Sequence, residues 1–260
     1  MDGFAIFVRK ELRESLRTNR LLVAVVVFAI LGIISPLTAK YTPELIQALG
    51  TAGSGGITLI APTPTVKDAI TQFLKNVAGT GIFVAVLLPM GLVAREKERG
   101  TAAFVLTKPL SRSAFLTAKL VALGLTLTAG VAVAALATYW YTALLFTPIA
   151  LGGFVAASLL VLLSLLAYAS FTFLGSTLMS AQLPAAGIGI AGWIAVSILG
   201  IFPRIEQFTP AGLLDPASQL ALGQAPQHLW VSIASSVALL IVVLLVAWLS
   251  FRRQELVTNA

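Results

Sequence analysis

The stretch REKERGTAAFVLTKPLSRSAFLTAK, residues 95–119, separates two long apolar runs. It holds six of the seventeen lysines and arginines of the chain and two of its ten acidic residues. The runs on either side, about residues 77–94 and 120–141, contain no Asp, Glu, Lys, Arg or His. A short charged segment between two such runs is typical of a connection between two membrane-spanning helices.

The composition of the whole chain agrees with this interpretation. Of its 260 residues, 58% are hydrophobic and only 10% are charged, whereas soluble domains carry about 25% charged residues. The mean hydropathy is +0.97. A soluble globule of this length could not bury so much apolar surface, so we expect an integral membrane protein. The absence of cysteine excludes disulfides and thiol catalysis.

Six segments are long and apolar enough to cross about 30 Å of hydrocarbon, which needs about 20 residues. They lie at about residues 21–39, 77–94, 120–141, 153–178, 184–202 and 229–251. Their uniform apolarity favours helices over barrel strands, which alternate. We therefore predict an all-α integral membrane protein whose 260 residues form a single transmembrane domain.

The basic residues predict the orientation of these helices. If both termini lie inside, thirteen lysines and arginines fall on the inner side and four on the outer side. Because basic residues concentrate in cytoplasmic connections, both termini and residues 95–119 are predicted to be cytoplasmic. The connections 40–76 and 203–228 then become outer loops.

The N-terminal arm, residues 1–20, has the pattern of an amphipathic helix. Phe4, Val8, Leu12 and Leu16 share one face, and charged residues fill much of the rest. Such a helix lies along the membrane interface. It is either a basic anchor or an elbow helix that also borders a partner.

The outer loops contain further helix signals. Thr42-Pro43-Glu44 is a helix start, and Thr65 with Asp68 forms a variant capping box before an amphipathic stretch that ends at Val77. Asp215-Pro216 opens a short helix that Gly223 closes.

Several classes of function are disfavoured by what the sequence lacks. No Asp, Glu, Lys, Arg or His lies in the interior of any predicted span, which disfavours an ion-coupled carrier. Lys119 is placed at the edge of the third span, where its side chain can snorkel. No GxxxxGK[ST] loop or HExxH motif is present, and no basic and aromatic RNA motif interrupts the runs. With one His and three Met, we expect no metal site and no nucleic acid partner.

Small residues recur in the spans at helix-packing spacing. The rows are Gly124, Thr128 and Ala132; Gly130 and Ala134; and Ala185 and Gly189. They indicate either packing within the chain, or a dimer seam or substrate-facing groove.

Residues 95–119 contain their own signals for helix ends and helix starts. Gly100 is predicted to end the helix of the second span, and Thr101 to cap a short helix that Pro109 stops. Ser111 is predicted to cap the helix of the third span. The short helix has an apolar face with Phe104 at its centre and charges on both sides, which is typical of a docking surface. The alternative is an ordinary basic loop.

At these residues the sequence resembles the permeases of ABC-2 type transporters. The matching positions are Glu96, Glu98, Gly100, Thr101, Pro109, Arg112 and Lys119. The arm around Arg9, Lys10, Glu11 and Arg13 resembles the elbow helix of that family. The most similar branch is the short six-span one that includes the permease of the nitrous oxide reductase maturation system. Its copper-related role is not carried over, because this chain has few metal ligands.

The resemblance implies a permease subunit of an ATP-driven exporter in the inner membrane of a prokaryotic cell. Two copies, or two related chains, pair in the bilayer, and each sits on a separate ATPase subunit that binds ATP and Mg²⁺. This chain binds no cofactor itself. The segment 96–109 would be the coupling helix. The residues implied in docking are Glu96, Glu98, Arg99, Gly100, Thr101, Phe104, Leu106, Pro109 and Arg112.

Phe104 and Leu106 are expected to bury in a groove of the ATPase. Glu96 and Glu98 are expected to pair with basic residues of the ATPase, or locally with Arg95, Lys97 and Arg99. The uncharged spans favour an apolar or amphipathic cargo. Two other functions stay open at this point, a membrane scaffold that binds a cytosolic partner without transport and an ion-coupled secondary carrier.

Overall fold

The computed structural model describes residues 2–53, 63–100 and 111–254, and within these ranges every regular element is a helix. The helices are α1 (Asp2–Arg17), α2 (Arg20–Gly53), α3 (Val66–Leu87), α4 (Ala94–Glu98), α5 (Arg112–Leu145), α6 (Leu151–Leu178), α7 (Gln182–Leu199), α8 (Pro203–Glu206), a 3₁₀ turn (Pro210–Leu213), α9 (Leu214–Ala221) and α10 (Leu229–Arg253). Six of them, α2, α3, α5, α6, α7 and α10, are long and apolar enough to cross a membrane. The predicted all-α fold with six spanning helices is confirmed.

The first spanning helix is longer than predicted. α2 continues without a break through Pro36 and Pro43 to Gly53, so the predicted helix start at Thr42-Pro43-Glu44 was wrong. A proline inside a helix removes one backbone hydrogen bond and leaves the carbonyl four residues earlier without its donor. For Pro36 this is the carbonyl of Gly32, and the hydroxyl of Thr138 in α5 donates to it at 2.9 Å. Packing against α5 therefore compensates for this proline.

The second spanning helix is shifted towards the N-terminus relative to the predicted range 77–94. α3 runs from Val66 to Leu87 as one helix, so the amphipathic stretch assigned to the outer loop belongs to the span. The capping box predicted at its start is present, with the Thr65 amide donating to Asp68 Oδ2 at 2.8 Å. The helix ends before Pro89, and residues 88–93 form turns that lead into α4. Gly100 ends this short helix rather than the span, with φ of 68°.

α2 and α5 pack closely at mid-height. A Cβ added to Gly32 would lie 2.4 Å from the carbonyl oxygen of Ala134, and one added to Gly130 would lie 2.5 Å from the ring of Phe28. A side chain at Gly32 would meet the backbone of α5 and force the two helices apart, whereas one at Gly130 would displace the ring of Phe28. The close backbone approach brings Thr138 within reach of the Gly32 carbonyl.

α6 forms the centre of the bundle and packs against α3, α7, α9 and α10. About two-thirds of the most apolar stretch of α6 is buried inside the bundle, whereas only about one-sixth of the corresponding stretch is buried in α7 and in α10. Near its first turn, Gly153 lies against the carbonyl of Leu220 in α9. α9 is the short helix predicted from Asp215-Pro216, and Gly223 follows it with φ of 72°.

Candidate functional site

The end of the bundle that carries both described chain ends gathers most of the charged side chains that are bonded to one another. α1, α4, the first turns of α5 and the last turn of α10 meet there. We call this the terminal junction, and define it by Lys10, Glu11, Glu96, Lys97, Phe115, Lys119 and Phe251. The two flanks of the segment 101–110 both belong to it, since α4 precedes that segment and α5 follows it.

α1 packs along the first turns of α5 through three successive contacts. The rings of Phe7 and Phe115 lie 5.7 Å apart. One helical turn further on, Lys119 Nζ lies 3.1 Å from Glu11 Oε2. Beyond that, the hydroxyls of Ser15 and Thr126 lie 3.4 Å apart. Both helices advance in the same direction through these contacts, so they run roughly parallel here.

The face that α1 turns to the bundle differs from the predicted one. Phe7, Glu11 and Ser15 are buried, whereas Phe4 is 39% exposed and Leu16 57% exposed. The charge on Lys119 accounts for the difference, because it supplies a buried partner for Glu11 and favours this face over the more apolar one. The other arm residues singled out from the sequence, Arg9, Lys10 and Arg13, are all exposed.

Lys119 occupies the centre of the terminal junction. Its Nζ lies 2.8 Å from Glu96 Oε1 and 3.1 Å from Glu11 Oε2, and its side chain is only 1% exposed. The expectation that Lys119 snorkels to the membrane surface was therefore wrong. Glu96, which is expected to pair with the ATPase or with neighbouring basic residues, pairs with Lys119 among the described residues. One ammonium group thus joins α1, α4 and α5.

Three carboxylates meet at this point. Oxygens of Glu11, Glu14 and Glu96 lie within 4.8 Å of one another, a spacing that can suit a metal ion. Lys10 Nζ lies 3.1 Å from Glu11, 3.4 Å from Glu14 and 3.7 Å from Glu96, so lysine amines already neutralise the cluster. Burial lowers the pKa of Lys10, but the neighbouring carboxylates of Glu11 and Glu96 outweigh it, and the net shift is upward.

α4 is held against α6 by two side chains. The hydroxyl of Ser176 accepts hydrogen bonds from the amides of Val93 at 2.9 Å and Ala94 at 3.0 Å, and so caps a helix that has no side-chain cap of its own. Lys97 Nζ donates to the carbonyl of Thr177 and, at 2.5 Å, to Gln254 Oε1. Burial lowers the pKa of Lys97 to about 8.

The last turn of α10 completes the junction. The ring of Phe251 stacks on Phe115 at 5.7 Å with an interplanar angle of 7°. Arg112 Nη1 donates to the carbonyls of Arg252 at 2.9 Å and Gln254 at 3.0 Å. Because the last carbonyls of a helix lack intrahelical donors, Arg112 acts as a cap for α10.

The remaining residues assigned to docking fall into two groups. Glu98 accepts a long hydrogen bond of 3.4 Å from Gln182, and Arg99 and Gly100 are exposed at the end of α4. Thr101, Phe104, Leu106 and Pro109 lie outside the described residues. Ser111 caps α5 as predicted, since its hydroxyl accepts from the amide of Ala114 at 3.2 Å.

The rows of small residues divide between two environments. Ala185 and Gly189 are buried between α6 and α7, and an added Cβ at Gly189 would collide with Thr172. Gly124 instead faces open space, and Thr128 and Ala132 are exposed. The last two line an apolar groove of about 310 Å³ between α5 and α6. The Gly124 row thus does not pack inside this chain.

Sequence reasoning missed the link between α1 and α5. A usable signal is present, because each helix carries a phenylalanine four residues before a charged residue. The two charged residues have opposite signs. Phe7 precedes Glu11 and Phe115 precedes Lys119. Residues four apart share a helix face, so the two patterns predict ring against ring and charge against charge.

The fold and the junction define a multi-span membrane protein in which both described chain ends and the two flanks of the segment 101–110 meet at one end of a six-helix bundle. The family model described as "ABC-2 family transporter protein" matches residues 5–256, and the chain belongs to this family. It is also 24% identical over 261 residues to the uncharacterized transmembrane protein YxlG of Bacillus subtilis (strain 168), an alignment that covers 98% of this chain and 99% of that protein. The chain is thus a membrane component of an ABC transporter.

Proposed function

We propose that this chain forms the membrane pathway of an ATP-driven exporter and couples to a separate ATPase subunit through residues 96–109. Membership of the ABC-2 family supports the transporter class. The ATPase would hold ATP and Mg²⁺, and a second copy of this chain or a related permease would complete the pathway. Both termini would face the cytoplasm of a prokaryotic cell, with the bundle in its inner membrane.

The observation that carries this proposal is the position of Lys119. It bonds Glu96, on the N-terminal flank of the segment 101–110, while standing itself on the C-terminal flank. It also bonds Glu11 of α1. Removing one member of a buried charge pair costs about 3–5 kcal/mol, so these flanks do not separate easily. A force applied to the segment between them would pass directly to α5 and α1.

The spans support an apolar or amphipathic cargo. Charged residues of the described spanning helices stand towards the helix ends, apart from Lys75 of α3, which is exposed, and the buried polar groups between those ends include the hydroxyls of Thr138 and Ser164. A permanently charged small ion would find no counter-charge along such a path. Export of a lipid-like or peptide-like molecule fits this lining.

The first test is purification of the chain from its native membrane in mild detergent. We expect an ATPase subunit to accompany it. Phe104→Asp should release that subunit, because it places a charge where an apolar contact is expected, whereas Glu98→Gln should retain it, since an exposed ion pair is worth at most about 1 kcal/mol. Retention of the ATPase by Phe104→Asp would refute docking at that residue.

The second test concerns transport. Inverted vesicles that contain the chain and its ATPase should accumulate a fluorescent lipid or amphipathic probe when ATP is added, and Phe104→Asp should abolish the accumulation. An associated ATPase without ATP-driven movement of any probe would favour a scaffold. Movement that persists without ATP and collapses with the ion gradient would favour a secondary carrier.

A further inference from the structure

An open cleft of about 510 Å³ lies between the start of α5 and the end of α10. It is lined by Ser111, Arg112, Ser113, Trp248 and Arg252. Arg112 shapes its floor, because Nη1 of this residue is fixed by the carbonyls at the end of α10. The cleft lies beside the terminal junction, and none of the charge pairs around Lys119 faces into it.

The described residues that line the cleft carry two positive charges and include no acidic residue. The ion pairs among the described residues all involve Lys10 or Lys119, so neither Arg112 nor Arg252 is neutralised by a carboxylate there. The guanidinium of Arg252 lies 4.8 Å from the centre of the Trp248 ring. This stacking orients Arg252 along the wall and leaves its N–H groups at the ring edge available to an anion.

The apolar side of the cleft continues along α10. Ile241, Leu245 and Trp248 precede Arg252 at spacings of four, three and four residues, so all four share one face. Ile241 and Leu245 are about half exposed. In a spanning helix this stripe faces hydrocarbon and ends at Trp248, a residue typical of the membrane interface. An acyl chain can therefore follow the stripe from a headgroup held by the arginines.

We propose that this cleft binds the phosphate headgroup of an anionic phospholipid, with one acyl chain along the exposed face of α10. Two unneutralised guanidinium groups and two serine hydroxyls provide donors for a phosphate. The adjoining apolar stripe distinguishes a lipid from a soluble phosphate, which would gain nothing from Leu245. Basic pockets between spanning helices at the membrane surface bind anionic headgroups in this manner.

The test uses the fluorescence of Trp248. With Trp140, Trp193 and Trp230 replaced by Phe, Trp248 is the sole tryptophan. The purified chain is placed in bilayers that contain increasing fractions of a lipid brominated near its headgroup, either phosphatidylglycerol or phosphatidylcholine. We expect phosphatidylglycerol to quench Trp248 with a relative association constant at least about fivefold higher, since each basic residue near the surface contributes about that factor.

Arg252→Gln should lower this preference about fivefold, and Arg252→Lys should preserve most of it. The matched control is Arg253→Gln, which removes an exposed charge from the same helix end but does not line the cleft. It should leave the preference unchanged. Circular dichroism and size-exclusion profiles equal to those of the parent show that each variant is folded.

Four results would overturn the proposal. Equal quenching by the two lipids would show that no anionic site exists. An equal loss in Arg252→Gln and Arg253→Gln would reduce the effect to general attraction by the basic helix end. Competition by inorganic phosphate, or full displacement of the brominated lipid by added ATPase subunit, would assign the cleft to a soluble anion or to the protein partner.

Discussion

Nζ of Lys119 lies 2.8 Å from Oε1 of Glu96, and the two residues come from helices on opposite sides of the segment 101–110. The pair is almost completely enclosed, with side-chain exposures of 1% and 12%. In a chain with only ten acidic residues, two of them meet at this one amine. The junction is therefore the most heavily charged buried contact among the described residues.

Removing the amine should destabilise the protein strongly. In Lys119→Met the carboxylates of Glu11 and Glu96 lose their buried counter-charge, and we expect a loss of about 3–5 kcal/mol. Thermal unfolding in detergent, followed by tryptophan fluorescence, should show a much lower midpoint. The matched control is Lys10→Met, whose side chain is 45% exposed, and we expect it to cost at most about 1 kcal/mol.

A companion variant separates loss of charge balance from loss of packing. Replacing Lys119, Glu11 and Glu96 together by Met leaves no buried charge unpaired and should recover most of the midpoint. If the triple variant is no more stable than Lys119→Met, packing rather than electrostatics dominates at this position.

Ser176 should determine how firmly α4 is held. Ser176→Ala leaves the amides of Val93 and Ala94 without their acceptor, and we expect a loss of about 1–2 kcal/mol. Hydrogen exchange should show those two amides losing protection. Ser158→Ala is the control, because the Ser158 hydroxyl bonds only the carbonyl of Phe154 in its own helix. Unchanged exchange at α4 in Ser176→Ala would contradict the capping role.

The hydrogen bond from the Thr138 hydroxyl to the Gly32 carbonyl should contribute to stability only because Pro36 cannot donate to that carbonyl. Thr138→Val is expected to cost about 1 kcal/mol, within the range measured for interhelical bonds in membranes. In a Pro36→Ala background the restored amide can bond the Gly32 carbonyl, so the same substitution should cost much less. A double-mutant cycle on thermal midpoints measures this coupling. Equal costs in the two backgrounds would show that the proline has no part in it.

Gly32→Ala should be more damaging than Thr138→Val, since the added Cβ would lie 2.4 Å from the Ala134 carbonyl oxygen. We expect separation of α2 from α5 and a loss of more than 2 kcal/mol, as for other overpacked contacts. Gly79→Ala is the control, because nothing lies within 4 Å of its added Cβ. A midpoint in Gly32→Ala equal to that in Gly79→Ala would be inconsistent with the close approach.

Lys97 should impose a pH dependence on stability. Burial lowers its pKa to about 8 in the folded chain, whereas an unfolded lysine titrates near about 10.4. Between these values the unfolded chain binds more protons, so stability should rise as the pH increases from about 8 to about 10. Lys97→Met should remove this rise. A wild-type midpoint that rises no more steeply over that interval than that of Lys97→Met would contradict the lowered pKa.

The spanning helices were predictable because length and apolarity alone decide them. The errors occurred where local signals competed with packing. Pro43 and the Thr65 capping box are both local signals for a helix start. Only at the Thr65 capping box does a helix begin in the structure. The structure continues through Pro43 because a long helix tolerates a single missing bond, which no local pattern reveals.

The junction was predictable only in part. Charge counting placed residues 95–119 and both termini at the same end, and the helix cap at Ser111 was read correctly. The partner of Lys119 was not predicted, because a lysine at the edge of a span is equally compatible with snorkelling and with burial. Only the matching patterns of Phe7 with Glu11 and Phe115 with Lys119 distinguish the two possibilities, and these require the two helices to be compared with each other.

The contact between Gly32 and Ala134 has a mechanical consequence for α5. This helix is unbroken from Arg112 to Leu145 and packs tightly against α2 at Ala134. It can therefore act as a lever whose fulcrum, at Ala134, lies nearer to Leu145 than to Arg112. At about 1.5 Å per residue, the arm from Phe115 to the fulcrum is about 28 Å long and the arm from there to Leu145 about 16 Å. A sideways displacement at Phe115 therefore swings Leu145 in the opposite direction through a smaller distance and with proportionally greater force.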